Sequence, residues 1–518
     1  MTTTPVAERQ VRFAEPVGRW VLFATVLGSG MAMLDATVVN VALEKIGTQL
    51  DADLGGLQWT LNGYTLMLAS FILLGGSLGD RLGRRRVFVI GTAWFAIASA
   101  LCGLAPNIET LIAARALQGI GGALLMPGSL AIISASFVLE DRSRAIGAWS
   151  GLSGVAGALG PFVGGWLVGV GSWRLVFLVN LPVAALVIAV ALRHVPETHD
   201  PTATHRLDVS GAALGALSLA GLTYASIAIG EQGASAATLL SGAGGVLALI
   251  AFVVVERHST HPLIPAGLFA SRQFTAANVV TFTIYAAFGV VFFLVVLQLQ
   301  VVAGFSPLAA GTSMLPVTVI MLALSARSGA LAQRIGPRLQ MSVGPLVAAA
   351  GLLMLRQVGP GASYLTDVLP GVLVFGLGLA ILVAPLTAAV LAAAPAEHAG
   401  VASGVNNAVA RTGGLLAVAL LPAVAGLAGE DYQSAEAFAG GYRTAMLIAA
   451  CLVTLGGLLS AITIRNDQPV PGAGTGKPAV REAYEPCFNC PVDGPHMESL
   501  QPARAGADRK GRDPSDTI

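Results

Sequence analysis

Long apolar runs separated by short polar segments set the rhythm of this chain from Trp20 to Ile464. Hydropathy places spans near 20–42, 57–78, 87–105, 108–131, 146–170, 175–192, 209–229 and 237–255. Six more follow near 275–302, 312–332, 339–358, 367–391, 399–427 and 441–464. Nearly all are long enough to cross a hydrocarbon layer of roughly 30 Å. They are read as helices, because lipid offers no partner to an unpaired backbone group. The pattern predicts an all-α polytopic membrane protein with 14 transmembrane helices.

Composition sharpens that reading. Of 518 residues, 55% are apolar and only 11% charged, against roughly 25% charged in a soluble domain. Twenty of the 57 charged residues lie in segments 1–19 and 465–518, so the span-bearing region is poorer still. A net charge of +1 says nothing about nucleic acid, but no basic patch is interleaved with aromatics, so no nucleic-acid partner is expected. Cys102 and Cys451 fall in apolar segments and are expected to be buried thiols, not a disulfide framework. The first span is long enough to remain as an uncleaved anchor.

Arginine and lysine fix the orientation. With the N-terminus inside, the inner loops receive 16 basic residues, among them Arg81, Arg84, Arg85 and Arg86, and the outer loops only Lys45, Arg174, Arg356 and Arg443. Both termini are therefore expected in the cytoplasm, with the chain in the inner, or cytoplasmic, membrane. The segment "GGSLGDRLGRRR" (75–86) after span two has a weak echo in "SGALAQRIGPR" (328–338) after span ten. A duplication offset by eight spans gives a cytoplasmic N-terminus (1–19), a six-helix half (20–192), a linker with two extra helices (193–274), a second half (275–464) and a disordered cytoplasmic tail (465–518). Coincidence between two loops that both need turn glycines and inner arginines is the competing explanation.

Three ionisable residues lie well inside spans: Asp35, Arg115 and Arg411. Each costs roughly 2.5–3.5 kcal/mol there even on the lenient insertion scale. Asp35 and Arg115 each sit about seven residues from the outer end of their spans, which places both roughly 10 Å below the outer surface. Two readings fit: an ion pair that fixes helix register, or a carboxylate whose proton affinity changes with its surroundings. The second requires Asp35 to be reachable in turn from either face. Asn40, Gln118, Asn406 and Asn407 are candidates to line a cavity or to bond helices together. Tyr64, Tyr285, Phe288 and Gln298 are cavity candidates for which core packing competes.

Span five carries two neighbouring rows without large side chains. Gly147, Gly151, Gly154, Ala158, Pro161 and Gly165 form one; Ser150, Ser153, Gly157, Gly160 and Gly164 form the other. They suit a tight helix contact, and with the helix-breaking Pro161 a pivot or sealed interface. Asp80 stands beside four arginines, which a plain positive-inside anchor does not explain; a contact with a helix N-terminus does. "PGAGTGKP" (471–478) is no phosphate loop, since Pro471 and Pro478 replace its first glycine and its Ser/Thr. Cys487, Cys490 and His496 are three soft ligands without a fourth, so no metal is expected.

On these residues the chain resembles the major facilitator superfamily, and within it the 14-span drug:proton antiporters. The resemblance covers about residues 20–464. It rests on "LDATVVNVAL" (34–43), "GGSLGDRLGRRR", "LIAARALQGIGGALLMPGS" (111–129), "GVAGALGPFVGGWL" (154–167), "SWRLVFLVNLP" (172–182) and "AGVASGVNNAVARTGG" (399–414). It implies the major facilitator fold. It implies Asp35 and Arg115 as the proton-coupling pair, and Gly76, Asp80, Gly83 and Arg84 as a conformational latch between halves. Gly160, Pro161, Gly164 and Gly165 become the antiporter motif, and Asn40, Tyr64, Gln118, Asn406 and Arg411 a substrate cavity. Two departures stand out. Glu44 replaces a usual proline, with consequences for how span one ends, and no acid lies between 312 and 332, which turns the expectation from dications toward monocations or neutral lipophiles.

The expected function is proton-driven efflux of amphipathic drug-like or antibiotic molecules, by a monomer in the lipid bilayer with no cofactor but the proton gradient. A proton-coupled or facilitated metabolite transporter is the alternative; the span-five pattern argues against it. An integral-membrane enzyme would need a catalytic cluster, and the histidines offer none.

Overall fold

The computed structural model describes residues 11–199, 208–259, 266–394, 399–427 and 434–466. Fourteen helices are long and apolar enough to cross a membrane. They are α1 (Pro16–Leu50), α2 (Leu54–Leu82), α3 (Arg84–Gly103), α4 (Ile108–Ser136), α5 (Glu140–Val170), α6 (Leu175–His194) and α7 (Val209–Gln232). The second seven are α8 (Ala236–His258), α9 (Arg272–Val302), α10 (Pro307–Ile335), α11 (Pro337–Leu355), α12 (Tyr364–Ala392), α13 (Val401–Val424) and α14 (Ala435–Thr463). Span one does not end near Glu44. Helix α1 runs 35 residues to Leu50, with Glu44 beside Lys45 at 3.8 Å, because a helix leaving the membrane can carry charge without breaking.

The packing repeats with an offset of eight helices. In the first half α4 packs on α2 and α3, and α1 on α5 and α6. In the second half α12 packs on α10 and α11, and α9 on α13 and α14. The two echoing loops occupy matching places. Helix α2 ends at Gly83 (φ 109°) and α10 at Gly336 (φ 83°), a backbone region that favours glycine. The residues after each sixth helix then hold the start of each third one. Glu197 Oε1 accepts from the Arg85 amide at 3.0 Å, and Asn466 Oδ1 from the Arg338 amide at 3.1 Å. Helix α7 packs against α2 and α13, and α8 lies outside it, mostly exposed.

Glycines decide how close helices come. A Cβ on Gly75 would lie 2.1 Å from the Ala123 oxygen, and one on Gly121 2.6 Å from the Phe95 amide nitrogen. Gly76, by contrast, would meet only Pro127 at 3.6 Å, an ordinary contact. The expected pair of buried thiols is half right: Cys102 is buried and Cys451 exposed on the surface of α14.

The two rows of α5 divide the work between two neighbours. Gly157, Gly160 and Gly164 press on α1 at Met33, Thr37 and Val38. Pro161 and Gly165 press on α10: a Cβ on Gly165 would lie 2.6 Å from Leu308 Cα, and one on Gly311 2.2 Å from the Pro161 oxygen. Farther along that same row, toward the arginine-rich face, Gly147, Gly151 and Gly154 meet nothing within 4 Å. Gln58 donates to the Val418 oxygen at 2.7 Å and Gln300 to the Val41 oxygen at 3.3 Å, again joining the halves near the opposite face. Along α5 the halves are therefore joined toward that face and apart toward the arginine-rich one, where α2 and α13 still approach at Leu73 and Gly404.

The contrast is testable by thermal melting in detergent. Gly121→Val should destabilise by about 1–3 kcal/mol through overpacking against α3, while Gly151→Val should leave the melting temperature unchanged; equal losses would contradict this packing.

Candidate functional site

Asp35 and Arg115 meet. The turn of α1 that carries Asp35 is held by the glycines of α5, and Arg115 projects from α4 at the same depth. Arg115 Nη1 donates to Asp35 Oδ2 at 2.6 Å, with the two side chains 1% and 0% exposed. The other carboxylate oxygen accepts from Gln118 Nε2 at 2.8 Å and from Asn180 Nδ2 at 2.9 Å. Arg115 also donates from Nε to the Thr60 carbonyl at 3.1 Å and from Nη1 to Gln118 Oε1 at 2.7 Å.

A second tier holds the first. Ser99 Oγ receives Gln118 Nε2 at 3.2 Å and Asn180 Nδ2 at 3.0 Å, and donates to the Phe177 carbonyl at 2.9 Å. Tyr64 covers the guanidinium, with Arg115 Cζ 4.4 Å from the ring centroid, and Phe177 lies 5.7 Å away. Three donors and no acceptor face the carboxylate, the environment of an ionised acid. Nothing here is open to water. Asp35 is reachable from neither face in this conformation, so alternate access demands that the network rearrange.

Gln118 therefore lines no cavity. It is fully buried and orients the ion pair. Asn406 binds Asn278 at 3.1 Å and Thr281 at 2.9 Å within the second half. Asn40 is half-buried on α1, and Gln298 is buried and donates to the Val358 carbonyl. Asn407 is exposed. Arg411 reaches across the interface, its Nη2 3.8 Å from Met126 Sδ on α4.

Asp80 does not touch a helix N-terminus in the other half. It binds Arg84 at 2.8 Å, one turn on. Glu197 instead supplies the acid at the start of α3, facing Arg85 at 3.5 Å and Arg86 at 3.8 Å. The loop is thus closed on itself within the first half while the cleft stands open beside it.

Sequence reasoning missed Asn180, Ser99 and Glu197. Asn180 was signalled by being polar in an apolar run; the other two carry no signal, since serine is common in apolar helices and Glu197 sits more than 100 residues from its partners. Among the described residues no three or more His, Cys, Asp or Glu gather as metal ligands would. Cys487, Cys490 and His496 lie outside the described residues.

The sequence profile of the Major Facilitator Superfamily matches residues 25–418. The chain belongs to that superfamily. Within it, the multidrug resistance protein Stp of Mycobacterium tuberculosis is 36% identical over 78% of this chain and 75% of its own. The methylenomycin A resistance protein of Bacillus subtilis is 35% identical over 80% and 89%. The puromycin resistance protein of Streptomyces alboniger is 34% identical over 90% and 95%. Among solved structures, a bacterial homologue of the lysosomal transporter Spinster, inward-facing and occupied, aligns with TM-score 0.62 at 16% identity over 88% of this chain and all of its own. The inward-open xylose transporter XylE of E. coli aligns with TM-score 0.57 at 16% identity over 87% and 97%. At such identities the likeness concerns the fold of major facilitator transporters.

The buried pair makes a direct prediction. Asp35→Asn leaves Arg115 charged and without its counter-ion, a loss of about 3–5 kcal/mol. Adding Arg115→Gln should recover much of that, giving a double mutant more stable than Asp35→Asn alone. Additive losses in chemical or thermal denaturation would show that the pair is not coupled.

Proposed function

We propose that this protein exports amphipathic drug-like or antibiotic molecules across the cytoplasmic membrane in exchange for protons, with both termini in the cytoplasm. The arginine-rich face then looks inward, and the cleft stands open to the cytoplasm and shut to the outside. Relatives named for multidrug, methylenomycin A and puromycin resistance support the substrate class. One observation carries the coupling: Asp35, a carboxylate fully buried at membrane depth, bound as an anion by side chains of α4 and α6. The other buried acid, Glu256, belongs to the last turn of α8.

Exchange follows from the network. Protonating Asp35 removes the charge that holds Arg115 and leaves Gln118 and Asn180 facing a weaker acceptor. The helices that supply these donors, α4 and α6, then lose their common anchor on α1. Helix α1 is also the one on which α5 rests, and α5 forms the outer seal with α10. Proton binding and the seal are thus joined through two glycine-packed helices. Tyr64 caps the site, its ring lying on Arg115.

The energy is adequate. A proton crossing ~150 mV releases about 3.5 kcal/mol, which supports roughly a 300-fold gradient of a neutral substrate. Inverted membrane vesicles acidified inside test the reading. Methylenomycin A or a related amphipathic antibiotic should collapse the pH gradient in wild-type vesicles and leave it intact in Asp35→Asn vesicles. Full proton-coupled transport by Asp35→Asn would overturn the assignment.

A further inference from the structure

Arg411 is the membrane-embedded charge that the proton network does not use. None of the ion pairs among the described residues includes it. Its Nε is buried without a hydrogen-bond partner, and its Nη2 rests against a thioether, a poor acceptor. It reaches from α13 of the second half to Met126 on α4 of the first, so it lies between the halves and not in a lipid-facing groove. Asn407, one turn nearer the arginine-rich face, is exposed. Asp35, Arg115 and Arg411 together sum to +1 at the centre of the molecule. A largely buried guanidinium is stable when a carboxylate or similar anion pairs with it, and no side chain among the described residues supplies one.

We propose that Arg411 anchors an acidic group of the transported molecule, so that the favoured substrates are amphipathic anions: a carboxylate or acidic enol or phenol carried on an aromatic body. Tyr285, whose carbonyl faces Gly414 one turn along α13 from Arg411, and Phe288, whose ring lies 5.7 Å from that of Tyr285, supply the aromatic surroundings. This inference rests on the export reading and names the substrate class of that same cleft. The surplus positive charge turns the site away from monocations and dications alike.

Binding of 1-pyrenebutyrate, its methyl ester and pyrenylbutyl-trimethylammonium to the full chain tests it. The protein sits in phosphatidylcholine nanodiscs, which carry no net anionic lipid, and empty discs correct for partitioning. The acid should bind at least about tenfold more tightly than the ester, as expected for a charge-assisted hydrogen bond. Arg411→Gln should bring the acid down to the ester's level and leave the ester unchanged. Met126→Glu, which places a carboxylate beside the retained guanidinium, should have the same effect and guards against a folding defect in the first variant.

An ester or ammonium bound as tightly as the acid by the wild type, or an acid preference that survives both variants, overturns the proposal. The two readings fail separately. Arg411-dependent acid binding without proton-driven transport sinks export and leaves the anchor standing. Proton-driven export of the ammonium by a fully active Arg411→Gln protein sinks the anchor and leaves export.

Discussion

The structure is organised around one buried ion pair. A carboxylate and a guanidinium, each essentially without solvent contact, are tolerable at membrane depth only because nearly every lone pair and proton is spoken for. Five helices of the first half contribute to that bookkeeping: α1 the acid, α4 the base and an amide, α2 a carbonyl, α3 a hydroxyl and α6 a second amide. The half is thereby fixed as a unit. Its counterpart, which repeats the same helix packing, shows no such ion pair among the described residues and is held by apolar contacts and by hydrogen bonds such as those of Asn406 with Asn278 and Thr281.

From that asymmetry the rest follows. The half that carries the proposed proton site is also the half whose fifth helix packs closely on α10. Small residues on two adjacent rows let α5 lie close to α1 on one side and to α10 on the other, so displacement of α1 is felt at the interface. Along the interface row the contact ends after Pro161, and the remaining glycines face the open cleft, free to receive α10 when the molecule closes on that side. Two packings of one surface are what alternating access requires.

Much of this was legible in the sequence, for physical reasons. Apolar runs report spans because the membrane permits little else, and the count of 14 follows. Asp35 and Arg115 were visible because charge at that depth is rare and costly; their equal depth allowed a meeting, which helix rotation, not written in the sequence, decides. The two rows of α5 could be read from helical spacing alone. Other features could not. Gln118 was assigned to a cavity, although its place three residues after Arg115 puts it on the same face; a neutral amide does not announce which partner it will choose. Asp80 turned out to serve Arg84, because the acid that holds the start of α3, Glu197, lies far away in the chain. Which face of the cleft is open is a property of one state and leaves no mark on the sequence.

The central claim is that Asp35 is an anion when the cleft is open to the arginine-rich face and takes up a proton when the other face opens. Isotope-edited infrared difference spectroscopy on the reconstituted protein measures this directly. Acidifying the outer side should produce a protonated-carboxyl band that is missing in Asp35→Asn, and adding an exported substrate should suppress it. A protein that couples transport to protons while Asp35 stays ionised throughout would contradict the account.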